Sequence, residues 1–387
     1  MSDKPQIRPL MVMLFIGLPI LAVIITPLWA WYAGFTGTQW LIALAFLYLN
    51  GLGITAGYHR LWAHKAYQAH PVVRFWFAVW GAGALQNSVF VWASDHRRHH
   101  RHVDDNDHDP YSAGRGLWFS HIGWMLRDHT TNTEDFSNIK DLLQDPILQW
   151  QHKHYVAITA FMNIALPIGI GVLLGDIMGT LISVGLVRLV VNHNVTFFIN
   201  SLAHYWGTRP YTEANSARDN GFLAFLTYGE GYHNYHHIFQ TDYRNGIRWW
   251  QWDPTKWLIF GLSKVGLCWN LVRVDNFKIQ RAIMDTTFER ARRQLEQHDN
   301  WPLREMLEHE YAAFSESVRQ WRELQSQRYE KHKEALGEVW TQRRAQLQQR
   351  WEQTQLRDQL KLLELNLRNQ HRRVQLLLEQ SQSLAAA

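Results

Sequence analysis

HRLWAH at residues 59–64, HRRHH at 96–100 and HNYHH at 233–237 decide how this chain is read, because each stretch stands beside a long apolar run. A neutral imidazole is a strong ligand for iron, zinc or copper. His59, His64, His96, His99, His100, His233, His236 and His237 are too many for one ion. Two of the stretches share the pattern H-x-x-H-H. On a helix, residues three and four places on lie over the first, so all three rings leave one face. The adjacent pair diverges by about 100°, so one ring can reach one metal and its neighbour a second. The pattern points to a dinuclear, nitrogen-rich metal centre. HRLWAH differs: its histidines are five apart, about 140° around a helix, and share a face only if the helix ends between them. A ninth candidate is His204 in NSLAH (200–204), with Asn200 four residues earlier on the same helical face, where its amide could hold a metal-bound water.

Four stretches, about residues 10–33, 38–57, 155–174 and 177–199, are apolar, each near the ~20 residues a bilayer requires. The first is too long for a signal peptide and lacks a small-residue cleavage site, so it reads as an anchor. They group as two hairpins whose connections, around Thr36–Thr38 and at Gly175–Asp176, hold no Lys or Arg. Lys4, Arg8 and the segments 58–154 and 204–387 carry essentially all the positive charge. The positive-inside rule then places both termini and every histidine cluster on the cytoplasmic side, in a multi-pass protein assigned to a bacterial inner membrane. A fifth apolar run, residues 72–92, must not cross, since HRLWAH and HRRHH would then fall on opposite sides. Its Arg74, Gln86 and Asn87 suit a surface-lying or re-entrant segment roofing the site. Arg188, inside the fourth span, should face protein as a packing arginine bonded to carbonyls.

The remaining composition narrows the class. A single cysteine, Cys268, excludes a disulfide framework within the chain and a thiolate metal site, and fits a reducing compartment. A net charge of +5 beside apolar spans suits anionic lipid headgroups before nucleic acid. Beyond about residue 275, Gln, Arg, Glu and Leu dominate. Leu356, Leu360, Leu363, Leu367 and Val374 recur at coiled-coil or helical-hairpin spacing, with Trp301, Tyr311, Trp321, Trp340 and Trp351 adding bulk. The expected architecture is therefore all-α and integral to the membrane. Residues 1–275 form four transmembrane helices in two hairpins, with a cytoplasmic helical cap holding the metals. Residues 276–387 form a soluble helical extension that oligomerises or binds partners.

Nitrogen-only ligation disfavours magnesium and calcium and leaves iron, zinc, copper or nickel. Structural zinc is usually four-coordinate and often thiolate-bound, so nine histidines suit it poorly, whereas two irons with open positions facing a cavity suit oxygen activation. His70, His102, His108, His121, His129, His152, His154 and His193 lack the forked spacing and read as surface, capping or supporting residues. Asp95, Asp104, Asp105, Asp107, Asp109 and Glu230 are near enough in sequence to accept the outer N–H of a ligating ring.

With these gaps and in this order, HRLWAH, HRRHH and GEGYHNYHH resemble the membrane acyl-CoA delta-9 (stearoyl-type) fatty acid desaturases, as do DPYSAGRGLWFSHIGWML (109–126) and NSLAH. The resemblance covers roughly residues 8–275. It implies a four-span fold with a cytoplasmic cap, two Fe2+ ions and a bent apolar tunnel beneath them. At matching positions it makes His59, His64, His96, His99, His100, His204, His233, His236 and His237 the iron ligands, with Asn200 binding through water. Gln86, Trp92 and Thr196 would line the bend, with Phe197 where the family often has Trp. Asn87, Asp95, Arg115 and Arg127 sit where polar groups near coenzyme A belong, while Val91, Ser94 and Asp128 replace polar or basic residues common in animal members.

The resulting expectation is an oxygen-dependent desaturase that inserts a cis double bond into a long-chain acyl-CoA, with acyl lipid and acyl carrier protein as alternative carriers. The chain shows no fused cytochrome b5 haem motif, so a separate donor such as ferredoxin, cytochrome b5 or a flavoprotein reductase is expected. No side chain beyond the metal ligands is expected to be catalytic. The rival readings are a di-iron alkyl or sterol hydroxylase, a histidine-rich metal transporter, and a scaffold acting through its helical tail. Transport sites belong near the bilayer midplane, whereas these histidines flank the spans.

Overall fold

A computed structural model of the chain describes residues 5–131, 134–297, 301–337 and 343–386. It divides into two compact units, Met1–Arg209 with Ala214–Arg273, and Pro210–Glu213 with Val274–Ala387. The first unit is built from α1 (Pro9–Tyr32), α2 (Gly37–Ala63), α3 (Pro71–Gly83), α4 (Val89–Arg101), α5 (Tyr155–Leu174), α6 (Ile177–Tyr205), α7 (Gly221–Leu226) and α8 (His233–Ile238). Gln68–Ala69 pairs antiparallel with Cys268–Trp269, the sole sheet among the described residues. Of these helices, α1, α2, α5 and α6 are 24, 27, 20 and 29 residues long and apolar enough to cross a membrane. The outward faces of α1 and α5 carry Val23, Trp31, Val156 and Leu173, which suit hydrocarbon, not water.

Short polar caps tie the two hairpins together at one end. Thr36 and Gln39 form a reciprocal capping box at the start of α2. The Gln39 amide, fully buried, donates 2.8 Å to Asp176 Oδ2, while Asp176 Oδ1 accepts from Gly179 N and caps α6. One glutamine thus joins both turns at the end opposite the histidines.

The run 72–92 is not one helix. α3 buries Phe77 and Ala78 and exposes Val72 and Phe75, then stops at Gly83. Leu85 and Asn87 follow with φ of 53° and 71°, a left-handed corner unusual for residues other than glycine. Two side chains of α6 hold this corner. Arg188 bonds Gly83 O (3.2 Å), Val184 O (2.9 Å), Asn50 Oδ1 (2.9 Å) and Asn163 Oδ1 (2.8 Å), and His193 Nε2 donates to Ala84 O at 3.0 Å. Arg188 therefore has amide acceptors as well as backbone carbonyls, and it braces three spans from within. The break leaves the ends of α2 and α4 on one side, where Arg8 N also bonds Leu126 O at 2.9 Å.

The second unit contains α9 (Asn276–Gln297), α10 (Trp301–Gly337) and α11 (Arg343–Ala386). Its core includes Phe277, Phe288, Leu307, Phe314, Leu367 and Val374. Leu356, Leu363, Leu367 and Val374 are buried and Leu360 half-buried, which follows the heptad-like spacing. Trp321 stacks on Phe277 at 4.3 Å, but Trp351 is 67% exposed and does not join the face. Trp340 and the Trp301 side chain lie outside the described residues.

Candidate metal centre

Nine imidazoles from α2, α4, α6, α8 and the turn after α2 converge in two groups. His59, His64, His96, His100 and His236 form one, and His99, His204, His233 and His237 the other; within each, one nitrogen per ring lies within 4.8 Å of all the rest. The adjacent pairs His99–His100 and His236–His237 divide between the groups, because neighbours on a helix diverge by about 100°. His59 and His64 meet without the helix ending between them. From Gly53 to Ala63 α2 widens to π geometry, and His64 N bonds His59 O, five residues back, at 3.0 Å. The wider turn brings positions five apart onto one face, and such widenings are frequent at functional sites.

The nitrogen spacing tests what these rings can hold. His59 Nε2 and His100 Nε2 each lie 3.0 Å from His236 Nε2, His64 and His96 approach to 2.8 Å, and His233 stands 3.1 Å from both His204 and His237. Two ligands at right angles about an ion with bonds of about 2.1 Å are separated by about 3.0 Å. Burial, followed by the neighbouring rings, holds His64, His96, His100, His233, His236 and His237 well below the ordinary imidazole range. Those six rings are therefore neutral, with lone pairs available across a space of ionic size.

The outer ring nitrogens complete the fit. Asp109, fully buried, takes His99 Nδ1–H at 2.9 Å, and Glu230 Oε2 lies 3.0 Å from His59 Nδ1. Tyr111 Oη lies 3.2 Å from His96 Nδ1, and His204 Nδ1 reaches Ser216 Oγ at 2.8 Å, which in turn donates to Asp104. Holding Nδ1–H outward directs Nε2 inward. Asp95 pairs instead with Arg98, and Asp105 with His108 and the Asp107 amide. Behind Glu230 stands Arg60, 1% exposed, which also bonds Asp253 Oδ2 and Tyr243 O, while Asn245 donates to Glu230 Oε2 at 2.6 Å. Arg60, Tyr111, Ser216, Asn245 and Asp253 carry no spacing signal in the sequence. Arg60 stands next to His59, and Tyr111 lies two residues after Asp109 within the stretch 109–126.

A cavity of about 370 Å³ reaches the first group, with His59, His96 and Glu230 in its wall. Gln86, Asn87, Trp92, Asp95, Thr196, Phe197 and Asn200 all line it, together with apolar Leu10, Met11, Leu14, Phe15 and Ile54. Gln86 Nε2 donates 2.9 Å to Thr196 Oγ1, and Trp92 stacks on His96 at 4.8 Å. Arg115 and Arg127 do not line the cavity: Arg115 lies over the Phe119 ring at 3.7 Å, and Arg127 bonds Pro5 O at 3.0 Å. Val91 and Ser94 border the cavity, whereas Asp128 does not. Asp109→Asn, which keeps one neutral acceptor oxygen in place of two charged ones, is expected to lower metal affinity about 10- to 100-fold, read by chelator competition.

The family model described as fatty acid desaturase matches residues 38–264. The probable acyl-CoA desaturase of Schizosaccharomyces pombe is 41% identical over 314 residues, covering 79% of this chain and 63% of that protein. Acyl-CoA desaturase 1 of Saccharomyces cerevisiae is 42% identical over 265 residues, covering 67% of this chain and 52% of its own length. Stearoyl-CoA desaturase 5 of Bos taurus is 36% identical over 237 residues, 60% of this chain and 70% of that protein. The chain thus spans between half and two thirds of the two yeast relatives it matches. These relatives are fungal and mammalian, and give no support to a bacterial membrane.

Proposed function

From the premise that the chain belongs to the fatty acid desaturase family, we propose that it is an integral membrane acyl-CoA desaturase forming a cis double bond at the delta-9 position. The observation carrying this reading is the convergence of two imidazole groups, the first of which enters the wall of a largely apolar cavity. Nine histidines, His59, His64, His96, His99, His100, His204, His233, His236 and His237, would hold two ions, with Asn200 acting through water. Bound iron would supply dioxygen reduction. The balanced change is –CH2–CH2– plus O2, two electrons and two protons to –CH=CH– plus two waters. The electrons come from a separate donor protein.

The protein's own contribution is position. An acyl chain in the cavity lies against Leu10, Met11, Leu14 and Phe15, which exclude water, while Trp92, Thr196 and Phe197 fix the segment beneath His59 and His96. Asn87 and Asp95 at the cavity, with exposed Arg115 and Arg127, would meet the polar carrier. The histidine side is read as cytoplasmic, because the opposite connections lack Lys and Arg.

Expression in cells lacking their own desaturase tests this directly, with the new bond located by mass spectrometry. Loss of two hydrogens from C9–C10 supports the reading; a gained oxygen replaces it with hydroxylation. Thr196→Val leaves the half-buried Gln86 amide without its acceptor. It is expected to lower turnover about tenfold, the effect of about 1.4 kcal/mol, and to broaden the double-bond position.

A further inference from the structure

A third cluster of ligand-type side chains stands apart from the two already described. His102, Asp105 and His108 each present one donor atom, all within 4.8 Å of one another. They lie on the turn that follows α4, His102 and Asp105 half-buried and His108 exposed. His108 Nδ1 is 2.8 Å from Asp105 Oδ2, close to the separation of two ligands at right angles on one ion with bonds of about 2.1 Å. The rings of His102 and His108 stack at 5.1 Å and 28°, so they face the same space. The field also favours a cation: between residues 101 and 109, four carboxylates (Asp104, Asp105, Asp107, Asp109) stand against the single Arg101.

We propose that His102, Asp105 and His108 form a surface site for a first-row divalent transition ion, which clamps the turn carrying Asp104 and Asp109. Two imidazoles and one carboxylate select copper, nickel or zinc over magnesium and calcium. The clamp follows from the chain path. Asp104 lies one residue before Asp105 and holds Ser216, which holds His204; Asp109 lies one residue after His108 and holds His99. Asp109 Oδ2 also accepts from Asp104 N at 3.1 Å, so the turn is closed at its base. An outer ion therefore fixes the two carboxylates that orient His204 and His99, both in the second inner group. The outer site needs no assumption about the inner groups, whereas the clamp rests on the reading that His99 and His204 hold iron.

The test uses the full-length, iron-loaded protein in detergent and Cu2+ as probe. One copper per chain is expected beyond the iron, with nitrogen splitting from two imidazoles in its electron paramagnetic resonance spectrum. In His108→Ala the pattern falls to one nitrogen or the copper is lost, while iron content stays the same. Zn2+ is expected to displace the copper and to slow iron release to a chelator several-fold in the parent but not in Asp105→Asn. An unchanged copper spectrum in both His108→Ala and Asp105→Asn overturns the site. Copper bound as described with unaltered iron release overturns the clamp.

Discussion

His236→Ala is expected to abolish double-bond formation and to halve the bound metal. His236 is 1% exposed, and its Nε2 stands 3.0 Å from those of both His59 and His100, so it joins a ligand from α2 to one from α4. Alanine offers no donor and leaves a ring-sized void among the remaining imidazoles. The loss should exceed the 10- to 100-fold typical of a supporting residue, because a direct ligand is removed. His70→Ala is the control: His70 caps α3 through Val72 N, and its loss costs about 1 kcal/mol of helix stability while leaving metal and product intact. Iron per chain and product yield are measured on the same membranes. Undiminished product in His236→Ala would remove the dinuclear reading altogether.

Much of this site can be read from local pattern, and the rest is hidden for identifiable reasons. Apolar runs of membrane length reveal α1, α2, α5 and α6 because a bilayer imposes one length on any helix that crosses it. H-x-x-H-H reveals its own geometry because helical periodicity is a local property. His59 and His64 resist the same treatment, since an i to i+5 widening has no composition signal and ordinary helical arithmetic sets them on different faces. The corner at Leu85–Asn87 is equally silent. Leu85 is a poor choice for positive φ and Asn87 only a tolerated one, and the corner is held by Arg188 and His193 from a helix about a hundred positions later. Acidic residues near a histidine box were too many to rank by proximity. Asp109 and Asp95 are comparable in sequence, yet one orients His99 and the other pairs with Arg98. Separation in sequence likewise hides Asp253 and Asn245, which act only through the folded path from α8 to Arg60.

Arg60→Met is expected to be the most destabilising single change in the first unit. Arg60 bridges Glu230 Oε1 at 2.8 Å and Asp253 Oδ2 at 3.1 Å, and all three side chains are essentially excluded from water. Removing the cation strands two buried carboxylates, a loss of about 3–5 kcal/mol. Methionine matches the length of the stem, so lost charge and not lost volume sets the effect. Burial pushes the Glu230 carboxyl up, but His59 and Arg60 beside it prevail and hold it down to about 2. Its folded value lies below the ordinary carboxylate value of about 4.3, so this contribution is present above that pH and fades as pH falls toward 2. The deficit of Arg60→Met relative to the parent should therefore be largest near neutrality and shrink at acid pH, where protonation relieves Glu230. Glu230→Gln separates fold from site. It keeps a hydrogen-bonding oxygen near His59 and Arg60 but removes the charge, so it should retain the folded state better than Arg60→Met while weakening metal retention about 10- to 100-fold. Thermal unfolding in detergent and iron retention against a chelator measure the two separately. Equal loss of both properties in both variants would mean that the network is only a packing element and does not orient His59.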